Sequence, residues 1–467
     1  GMVGFQAEVN KWRQLQASKL DLISESVPNI NAATGESTID KSKLTHWATA
    51  GFFGRLNYDY KERYLLEVNL RYDGTSRFAK DKRWNLFPSF SAGWNVAREA
   101  FMESTGNIIN TLKIRGSWGE LGNQNTENLY PYIQLMKFVA QDPDSHWLIN
   151  NSRPNTANAP DLISALLGWE TMRSWNIGFD LGLLSNRLTV SLDWFNRKTI
   201  NMVGPAPELP VTLGANVPKV NNADMQSTGF ELDLGWRDQI RGFNYGVHLL
   251  LSDDRQKILR YPNKTGKIDT WYAGEYSGNI WGFETIGVAK SQEEMDAHLA
   301  SLPNGGQDAL GSKWGAGDIM YRDLNGDGKI SSGATLNDPG DRKIIGNNSP
   351  RFKFGLDLNA SWKGFDARLF FQGVAKRDAW LGDNMFWGAT GDIWQSACFT
   401  PHLDFFREGD DFWSPNTNAY FPRPLSVNYA KNQQAQTRYL QNAAYVRLKN
   451  LSIGYTIPAR ITSKMGI

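Results

Sequence analysis

The sequence is poor in the residues that build several familiar kinds of site. Cys398 is the single cysteine in 467 residues, which excludes a disulfide framework and a cysteine-ligated zinc site. Lys and Arg together number 50 against 48 for Asp and Glu, a balance that argues against nucleic-acid binding. No apolar run is long enough for a transmembrane helix. The five histidines are scattered, and no nucleotide-binding or hydrolase motif occurs, so we expect no enzyme.

Aromatic residues and glycine are abundant instead, with Trp 18, Tyr 16, Phe 24 and Gly 44. This combination suits long strands, tight turns and anchoring at a membrane interface. Apolar and polar residues alternate with a period of two in paired segments that are joined by a few residues. The pattern predicts hairpins with one apolar and one polar face, over residues 54–72, 175–194, 230–249 and 352–371.

The connections between these hairpins are markedly unequal in length. One end of each hairpin closes in a few residues, whereas the opposite ends are joined by long polar segments at 73–84, 121–168, 196–227, 252–349 and 373–440. Short turns on one side and long loops on the other are typical of an outer-membrane barrel. A soluble β-sandwich, the alternative, more often has long loops at both ends. Residues 291–302 carry a Ser–Glu capping box that predicts a short helix inside one loop.

Several segments, taken together and in order, carry a family resemblance. They include "GFFGRLNYDYKERYLLEVNLRYDGTSRF", "LKIRGSWGELGNQ", "GDIMYRDLNGDGKI" and "NAAYVRLKNLSIGYTIP". In these the chain resembles the SusC/RagA-type TonB-dependent transporters. The resemblance implies an all-β fold, a partial transmembrane antiparallel β-barrel from a barrel of about 22 strands with long extracellular loops. Residues 1–467 would then be part of that single barrel domain, with the N-terminal plug domain and the terminal strands absent.

The resemblance also implies a function and a location. Family members lie in the cell outer membrane as multi-pass proteins and import nutrient oligosaccharides, or peptides, by TonB-dependent transport. A SusD-like lipoprotein covers their outer loops, and TonB would be reached through the missing N-terminal region. On this reading Glu67, Asp180, Glu231, Asp233 and Asp357 face a wet lumen. The rival hypothesis is a surface-exposed glycan-binding or adhesin β-protein that transports nothing. A secreted glycan-cleaving enzyme, a third class, lacks a recognisable catalytic pair.

The stretch "YRDLNGDGKI" has oxygen ligands at alternate positions around a glycine. Asp323, Asn325 and Asp327 hold the first, third and fifth places of a calcium loop, and the Lys329 carbonyl would take the seventh. An EF-hand needs Glu in the twelfth place, where Ala334 stands, so a helix–loop–helix sensor is excluded.

A structural calcium ion that braces an extracellular loop is the functional interpretation of this stretch. In the family that the chain resembles, an Asp–Arg pair often follows this stretch, which implies Asp341, before Arg342, as the further carboxylate, with Asp338 as the second choice. The alternative is an Asx-rich turn that its own side-chain to backbone hydrogen bonds stabilise.

Three predicted loops are rich in aromatic residues set among glycines. Aromatic faces stack on sugar rings, so these side chains are candidates for contact with a substrate or with the lid protein. The alternative is that they pack the loops onto the mouth of the barrel. The candidates are Trp271, Tyr276, Trp281, Trp387, Trp394 and Trp413.

Overall fold

The structure, a computed structural model, describes most of the chain. The residues described are 1–136, 138–141, 143–157, 160, 162–163, 167–206, 218–388, 398–410 and 412–463, without the side chains of Asp40 and Arg460.

Strands account for most of the regular structure in these residues. They are β1 (Met2–Lys19), β2 (Ser37–Tyr60), β3 (Tyr64–Thr75), β4 (Trp84–Asn95), β5 (Ile109–Asn123), β6 (Phe138–Val139), β7 (Thr156–Ala157), β8 (Glu170–Leu183), β9 (Leu188–Gly204), β10 (Val220–Ile240), β11 (Phe243–Arg260), β12 (Asn279–Phe283), β13 (Thr285–Val288), β14 (Ile319–Tyr321), β15 (Arg342–Asn347), β16 (Arg351–Trp362), β17 (Phe365–Lys376), β18 (Asp378–Ala379), β19 (Gln441–Asn442) and β20 (Tyr445–Tyr455).

Helices are few and short. The α-helices are α1 (Gln292–Ala300), α2 (Asn384–Trp387) and α3 (Ala459–Thr462), and 3-10 turns lie at Ile30–Ala32, Val96–Arg98, Ala100–Thr105, Thr400–Leu403 and Tyr429–Lys431. None of the helices in the described part of the chain has the length and apolar character that a membrane span requires. Helix α1 lies where the capping box predicts it, and the Ser291 hydroxyl accepts the Glu294 backbone N–H at 3.3 Å.

Twelve long strands form one antiparallel sheet, which confirms the all-β prediction. Their hydrogen-bonded order is β1-β2-β3-β4-β5-β8-β9-β10-β11-β16-β17-β20, so every long strand lies beside the next long strand in sequence. The remaining strands pair in twos within the loops.

At the end of the sheet with the short connections, neighbouring strands are joined by tight turns. The backbone conformation of these turns explains which residues occupy them. Lys363 and Gly364 join β16 to β17, and Arg241 and Gly242 join β10 to β11. All four residues have positive φ, between 48° and 88°. Two successive positive φ values define the type I′ turn, whose twist matches that of the flanking strands. Glycine at the second position adopts this conformation without strain.

At the end of the sheet that carries the long loops, the strands extend further than the sequence predicts. The segment 196–227 was predicted as a loop, but β9 continues to Gly204 and β10 begins at Val220. The segment 252–349 is likewise shortened, because β11 runs on to Arg260. Both extensions are rich in polar residues and lack clean alternation, so the period-two pattern did not reveal them. The first half of β2 was missed for the same reason. Strand β1 was also not predicted, although Val3, Phe5, Ala7 and Val9 alternate with polar residues and glycine.

The chain divides into two compact units, the first of which comprises Gly1–Glu99, Ile114–Ile177 and Arg197–Asp224. Strands β1 to β4 pair successively in it, and a small aromatic cluster forms beside them. The Phe78 and Phe87 rings both lie edge-on to the Trp169 ring, at 5.5 and 5.3 Å between centroids. The Trp169 ring nitrogen donates to the Arg83 carbonyl at 3.0 Å, which fixes residues 167–169 next to β4.

The second unit comprises Ala100–Lys113, Gly178–Asn196 and Met225–Ile467. Strands β11, β16, β17 and β20 pair in this order, with Val247 opposite Leu358 and Leu358 opposite Leu369 on the apolar face. The largest hydrophobic core of the described residues lies in the loops of this unit, outside the long sheet.

Charged side chains on the polar face form hydrogen bonds with side chains of neighbouring strands. Asp233 lies 2.7 Å from the His248 Nε2, and the Arg368 guanidinium donates through Nε to Asp357 at 2.8 Å. In the first unit, the Arg55 Nε donates to Asn69 at 2.6 Å. Acids and bases therefore share this face, as the alternation predicts.

The two type I′ turns offer a matched test of the backbone. Alanine in place of glycine at positive φ costs about 1–2 kcal/mol in either turn. A Cβ at Gly364 would also lie 3.0 Å from the Thr456 carbonyl oxygen, whereas nothing lies within 4 Å of a Cβ at Gly242. We expect Gly364→Ala to lower the thermal unfolding midpoint of the purified protein more than Gly242→Ala does. Equal shifts would contradict this account of the β16–β17 turn.

Candidate functional site

Two long connections of the second unit fold together into what we call the loop module, residues 261–350 and 377–444 as far as they are described. Both segments contribute fully or nearly fully buried side chains to a common core. These include Phe283, Met295, Ile319, Tyr321, Ile330, Trp387 and Tyr439. The loops over this part of the sheet therefore have a protein-like interior of their own.

Backbone hydrogen bonds join the two segments of the loop module directly. The Phe283 N–H donates to the Ala435 carbonyl at 2.8 Å, and the Thr437 N–H donates back to the Phe283 carbonyl at 3.0 Å. Farther along, the Arg423 N–H donates to the Gly317 carbonyl at 2.9 Å. The module is thus held by main-chain pairing as well as by apolar packing.

A buried carboxylate is the polar centre of the module. Asp318 has no exposed surface and accepts hydrogen bonds from the Lys431 Nζ at 2.7 Å and from the Arg423 Nη2 at 2.6 Å. The Asn432 side-chain amide and the Gly315 backbone N–H donate to it as well, each at 2.9 Å. Three of these partners, Arg423, Lys431 and Asn432, lie 105 to 114 residues from Asp318 in the sequence.

Lys431 is the main counter-charge, and it is itself only 1% exposed. Its Nζ also donates to the carbonyls of Ser312 and Lys313, at 3.1 and 2.9 Å, and lies 4.6 Å from the centroid of the Trp314 ring. Burial lowers the pKa of the Lys431 ammonium, and the Asp318 carboxylate opposes that shift. Sequence reasoning missed this cluster, since no local spacing relates residues so far apart.

The stretch "DLNGDGKI" forms a turn that is closed by its own side chains. Asp323 accepts the backbone N–H groups of Gly326 and Gly328 at 2.6 and 2.9 Å, and the Asp327 N–H donates to Asn325 at 2.9 Å. The Lys329 N–H in turn donates to the Asp327 carboxylate at 3.1 Å. These are the hydrogen bonds that the Asx-turn alternative requires.

The structure also brings Asp341 to this turn, as the sequence analysis expected. Asp341 has no exposed surface, and its carboxyl accepts the N–H groups of Leu324 and Ser331 at 2.8 and 2.7 Å. Burial raises the pKa of Asp341, and the neighbouring Asp323 charge adds to that shift. Asp338, the second choice, forms a turn with Ala334 and Thr335. Its carbonyl accepts their backbone N–H groups, and its own N–H donates to Thr335.

The positions of the acidic side chains limit how many of them can bind one cation. Within the described residues, no three side chains of His, Cys, Asp or Glu are placed to hold a metal ion together. The Asp327 carboxylate instead lies 4.0 Å from the Lys329 ammonium. Amide and carbonyl oxygens, such as those of Asn325 and Lys329, would have to complete any cation shell here.

The candidate aromatic residues occupy different environments. Trp387 is 1% exposed and contacts the Tyr439 ring at 4.9 Å between centroids, which favours the packing alternative for this residue. Trp281 lies in β12 and is half-buried, and its ring nitrogen has no hydrogen-bond partner among the described residues. Trp394 lies outside the described residues.

Trp271, Tyr276 and Trp413 are exposed enough to present a ring to a ligand. The Trp271 ring stands edge-on to Tyr261, at 5.6 Å between centroids. The Arg407 guanidinium carbon lies 5.3 Å from the Trp413 centroid, which braces that ring within its loop. These three residues remain candidates for ligand contact.

A cleft of about 650 Å³ lies on the polar face of the sheet in the second unit. Its lining includes acids of β9 and β10, bases at the ends of β16 and β17, and Tyr445 of β20; the charged members are Asp193, Glu231, Asp233, Lys353 and Arg377. Acidic and basic groups are mixed, so the cleft has no single dominant charge.

A long antiparallel sheet with one apolar face, tight turns at one end and folded loops at the other defines the wall of a membrane barrel. The family of TonB-dependent receptor-like β-barrels matches residues 1–465, and the chain belongs to this family. Its members are outer-membrane proteins, which places this chain in the outer membrane and confirms the resemblance drawn from the sequence.

Named relatives agree with this assignment. The chain is 28% identical to TonB-dependent receptor P3 of Formosa agariphila over 97% of its own length and 43% of the relative's. It is 29% identical to TonB-dependent receptor SusC of Bacteroides thetaiotaomicron, over 87% of this chain and 37% of the relative. The chain therefore spans less than half the length of these relatives.

A solved structure shares the fold. The RagAB peptide transporter superposes on the whole of this chain, with a TM-score of 0.73 and 20% identity, and the match covers 47% of the solved chain. At this level of identity the likeness concerns the fold alone.

The buried cluster at Asp318 makes a strong prediction for stability. Asp318→Asn leaves Lys431 buried without a counter-charge, so we expect the local unfolding of the loop module to become easier by about 3–5 kcal/mol. Hydrogen exchange of the backbone amides of residues 312–321 measures this loss. The control is Asp269→Asn, which removes an exposed salt bridge to Arg342 of 3.2 Å in the same module. Such pairs contribute about 1 kcal/mol at most. Unchanged protection in Asp318→Asn would contradict the role given to this carboxylate.

Proposed function

We propose that residues 1–467 form part of the barrel of a TonB-dependent outer-membrane importer of the SusC/RagA type. It takes up oligosaccharides or peptides together with a SusD-like surface lipoprotein, and TonB acts on it through a part of the protein outside this chain. The observation that carries the proposal is the family match over residues 1–465. A relative named SusC and a fold match to a peptide transporter agree with it.

The geometry suits capture of a ligand at the outer end of the barrel wall. Loops with their own core and a buried ion cluster present a fixed surface, so little conformational entropy is lost when a ligand binds. Exposed Trp271, Tyr276 and Trp413 supply ring faces for sugar rings or for apolar peptide side chains. The mixed charges of the cleft on the polar face suit passage of solutes of either sign.

We further propose that the "DLNGDGKI" turn binds a structural divalent cation, calcium by the chemistry of its oxygen ligands. Asp323, Asn325, Asp327, the Lys329 carbonyl and Asp341 would hold it. Support comes from the two carboxylates at one turn, where Asp323 accepts the Gly326 N–H and Asp341 accepts the Leu324 N–H, and from the raised pKa of buried Asp341. A cation between these groups would offset both the burial and the repulsion of the two charges.

Calorimetric titration tests the cation proposal. We expect calcium to bind the purified protein, and Asp323→Ala to weaken that binding at least tenfold and to expose residues 318–349 to protease. Asp338→Ala is the control, because Asp338 forms the neighbouring turn through hydrogen bonds of its backbone. The absence of a calcium signal in the unchanged protein, or equal binding by Asp323→Ala, would leave the Asx turn as the full explanation.

The importer proposal is tested on cells that produce the full-length protein. We expect the protein in the outer-membrane fraction, with a gel mobility that changes on boiling, as for a folded barrel. Deletion of the gene should abolish growth on the oligosaccharide or peptide that the protein imports, and the SusD-like lipoprotein should co-purify with it. A barrel whose deletion leaves uptake unchanged on both nutrient classes would favour the rival, a glycan-binding or adhesin protein without transport.

A further inference from the structure

A second, smaller cavity lies where two long strands separate. Pairing of β11 with β16 ends at Ser252 and Lys353, and beyond that point the strands diverge toward the loop module. The gap between them holds a cavity of about 120 Å³, and its lining comprises residues 254–256, Tyr276, Ser277, Asn279, Asn347, Ser349, Arg351 and Lys376. The cavity has room for several water molecules or for a carboxylate or sulfate group.

The wall of this cavity is fixed by hydrogen bonds that do not involve a ligand. The Asn347 side-chain amide donates to the Ser277 carbonyl at 3.0 Å and to the Asn279 side-chain oxygen at 2.9 Å. The Ser349 hydroxyl also donates to the Ser277 carbonyl, at 2.9 Å. Loop 276–279 is thereby attached to the segment before β16, and the cavity is formed before any ligand enters.

The acids beside the cavity already have partners. Asp253 accepts hydrogen bonds from the Nε and Nη2 of Arg351 and from the Phe352 backbone N–H at 3.1 Å. Asp254 accepts the Lys353 ammonium at 3.0 Å. These carboxylates are therefore neutralised by Arg351 and Lys353.

Two further cations line the cavity without such partners. Within the described residues the side chains of Arg255 and Lys376 form no hydrogen bond or salt bridge, and Asp253 acts on Arg255 only through space. The Arg255 guanidinium carbon lies 5.2 Å from the centroid of the Tyr276 ring, and the Lys257 ammonium lies 5.7 Å from the same centroid. A guanidinium stacked on a ring is oriented while its N–H donors stay available.

An excess of positive charge in a preformed polar cavity selects for anions. Oriented guanidinium and ammonium donors make charge-assisted hydrogen bonds to planar carboxylates and to sulfate oxygens, and these are stronger than bonds to neutral hydroxyls. An anion in the cavity would also offset the positive charge of Arg255 and Lys376. The cavity therefore suits one charged substituent of a larger ligand.

We propose that this cavity is a subsite for an anionic group, a carboxylate or a sulfate, of the ligand that the loops capture. Arg255 and Lys376 bind the charge, and Tyr276 orients Arg255. The inference rests on the proposed function, since it makes acidic oligosaccharides or acidic peptides the preferred ligands. It also gives Tyr276 a role in positioning a cation, distinct from stacking on a sugar.

Binding to the full-length protein in detergent tests the subsite independently of transport. The probes are an oligogalacturonate with its methyl ester, and a glutamate-rich peptide with its glutamine counterpart. We expect the charged member of at least one pair to bind at least tenfold more tightly than the neutral member at low salt. We expect 0.5 M NaCl, about a 4 Å screening length, to reduce that preference. The pair that shows it identifies whether the charge belongs to a glycan or a peptide.

Substitutions of the cavity residues test whether the preference for the charged probe arises at this cavity. The double variant Arg255→Gln with Lys376→Gln should lose the tenfold preference and keep the binding of the neutral probe. Lys264→Gln, an exposed lysine of the same connection, is the control and should change nothing. Equal affinity for charged and neutral probes, or a preference that survives the double variant, would overturn the subsite. Preferential binding by a protein whose deletion leaves uptake unchanged would retain the subsite and refute the importer.

Discussion

Every backbone N–H and C=O group of a lipid-facing segment must be paired inside the protein, because hydrocarbon offers no hydrogen-bond partner. The twelve long strands meet this requirement by lying beside their sequence neighbours in an antiparallel order. That order needs only short links at one end of the sheet, which the type I′ turns at Lys363–Gly364 and Arg241–Gly242 supply. It leaves the opposite links free in length, and the chain uses them to build folded structure.

The loop module is governed by a different requirement, which is the compensation of a buried charge. Asp318 and Lys431 are both removed from water, so each would be costly without the other. The hydrogen bonds around them fix the path of residues 312–318 and 423–432, and aromatic and aliphatic side chains complete the interior. A surface built in this way can hold aromatic rings and charged groups in constant positions around a ligand.

Sequence reasoning predicted the parts of this protein that depend on local periodicity. Alternation identified hairpins around Tyr64, Trp175, Phe230 and Phe352, and the spacing of Asp323, Asn325 and Asp327 identified the acidic turn. It also anticipated that Asp341 joins that turn. Alternation failed where strands become polar, as in the outer ends of β9 to β11. It gave no indication of Asp318 with Lys431 or of the cavity at Arg255, because these assemble from residues that lie far apart in the sequence.

The two segments of the loop module are separated in sequence by the β16–β17 hairpin, while Asp318 and Lys431 lie 113 residues apart. Contacts of such long range form late, since the entropy of closing the loop must be lost before they stabilise the structure. The same separation couples the two loops. A substitution that removes Asp318 or Lys431 alone leaves the other charge buried without its counter-charge. Either loop can therefore be exchanged for another sequence only when the new segment keeps its member of the pair.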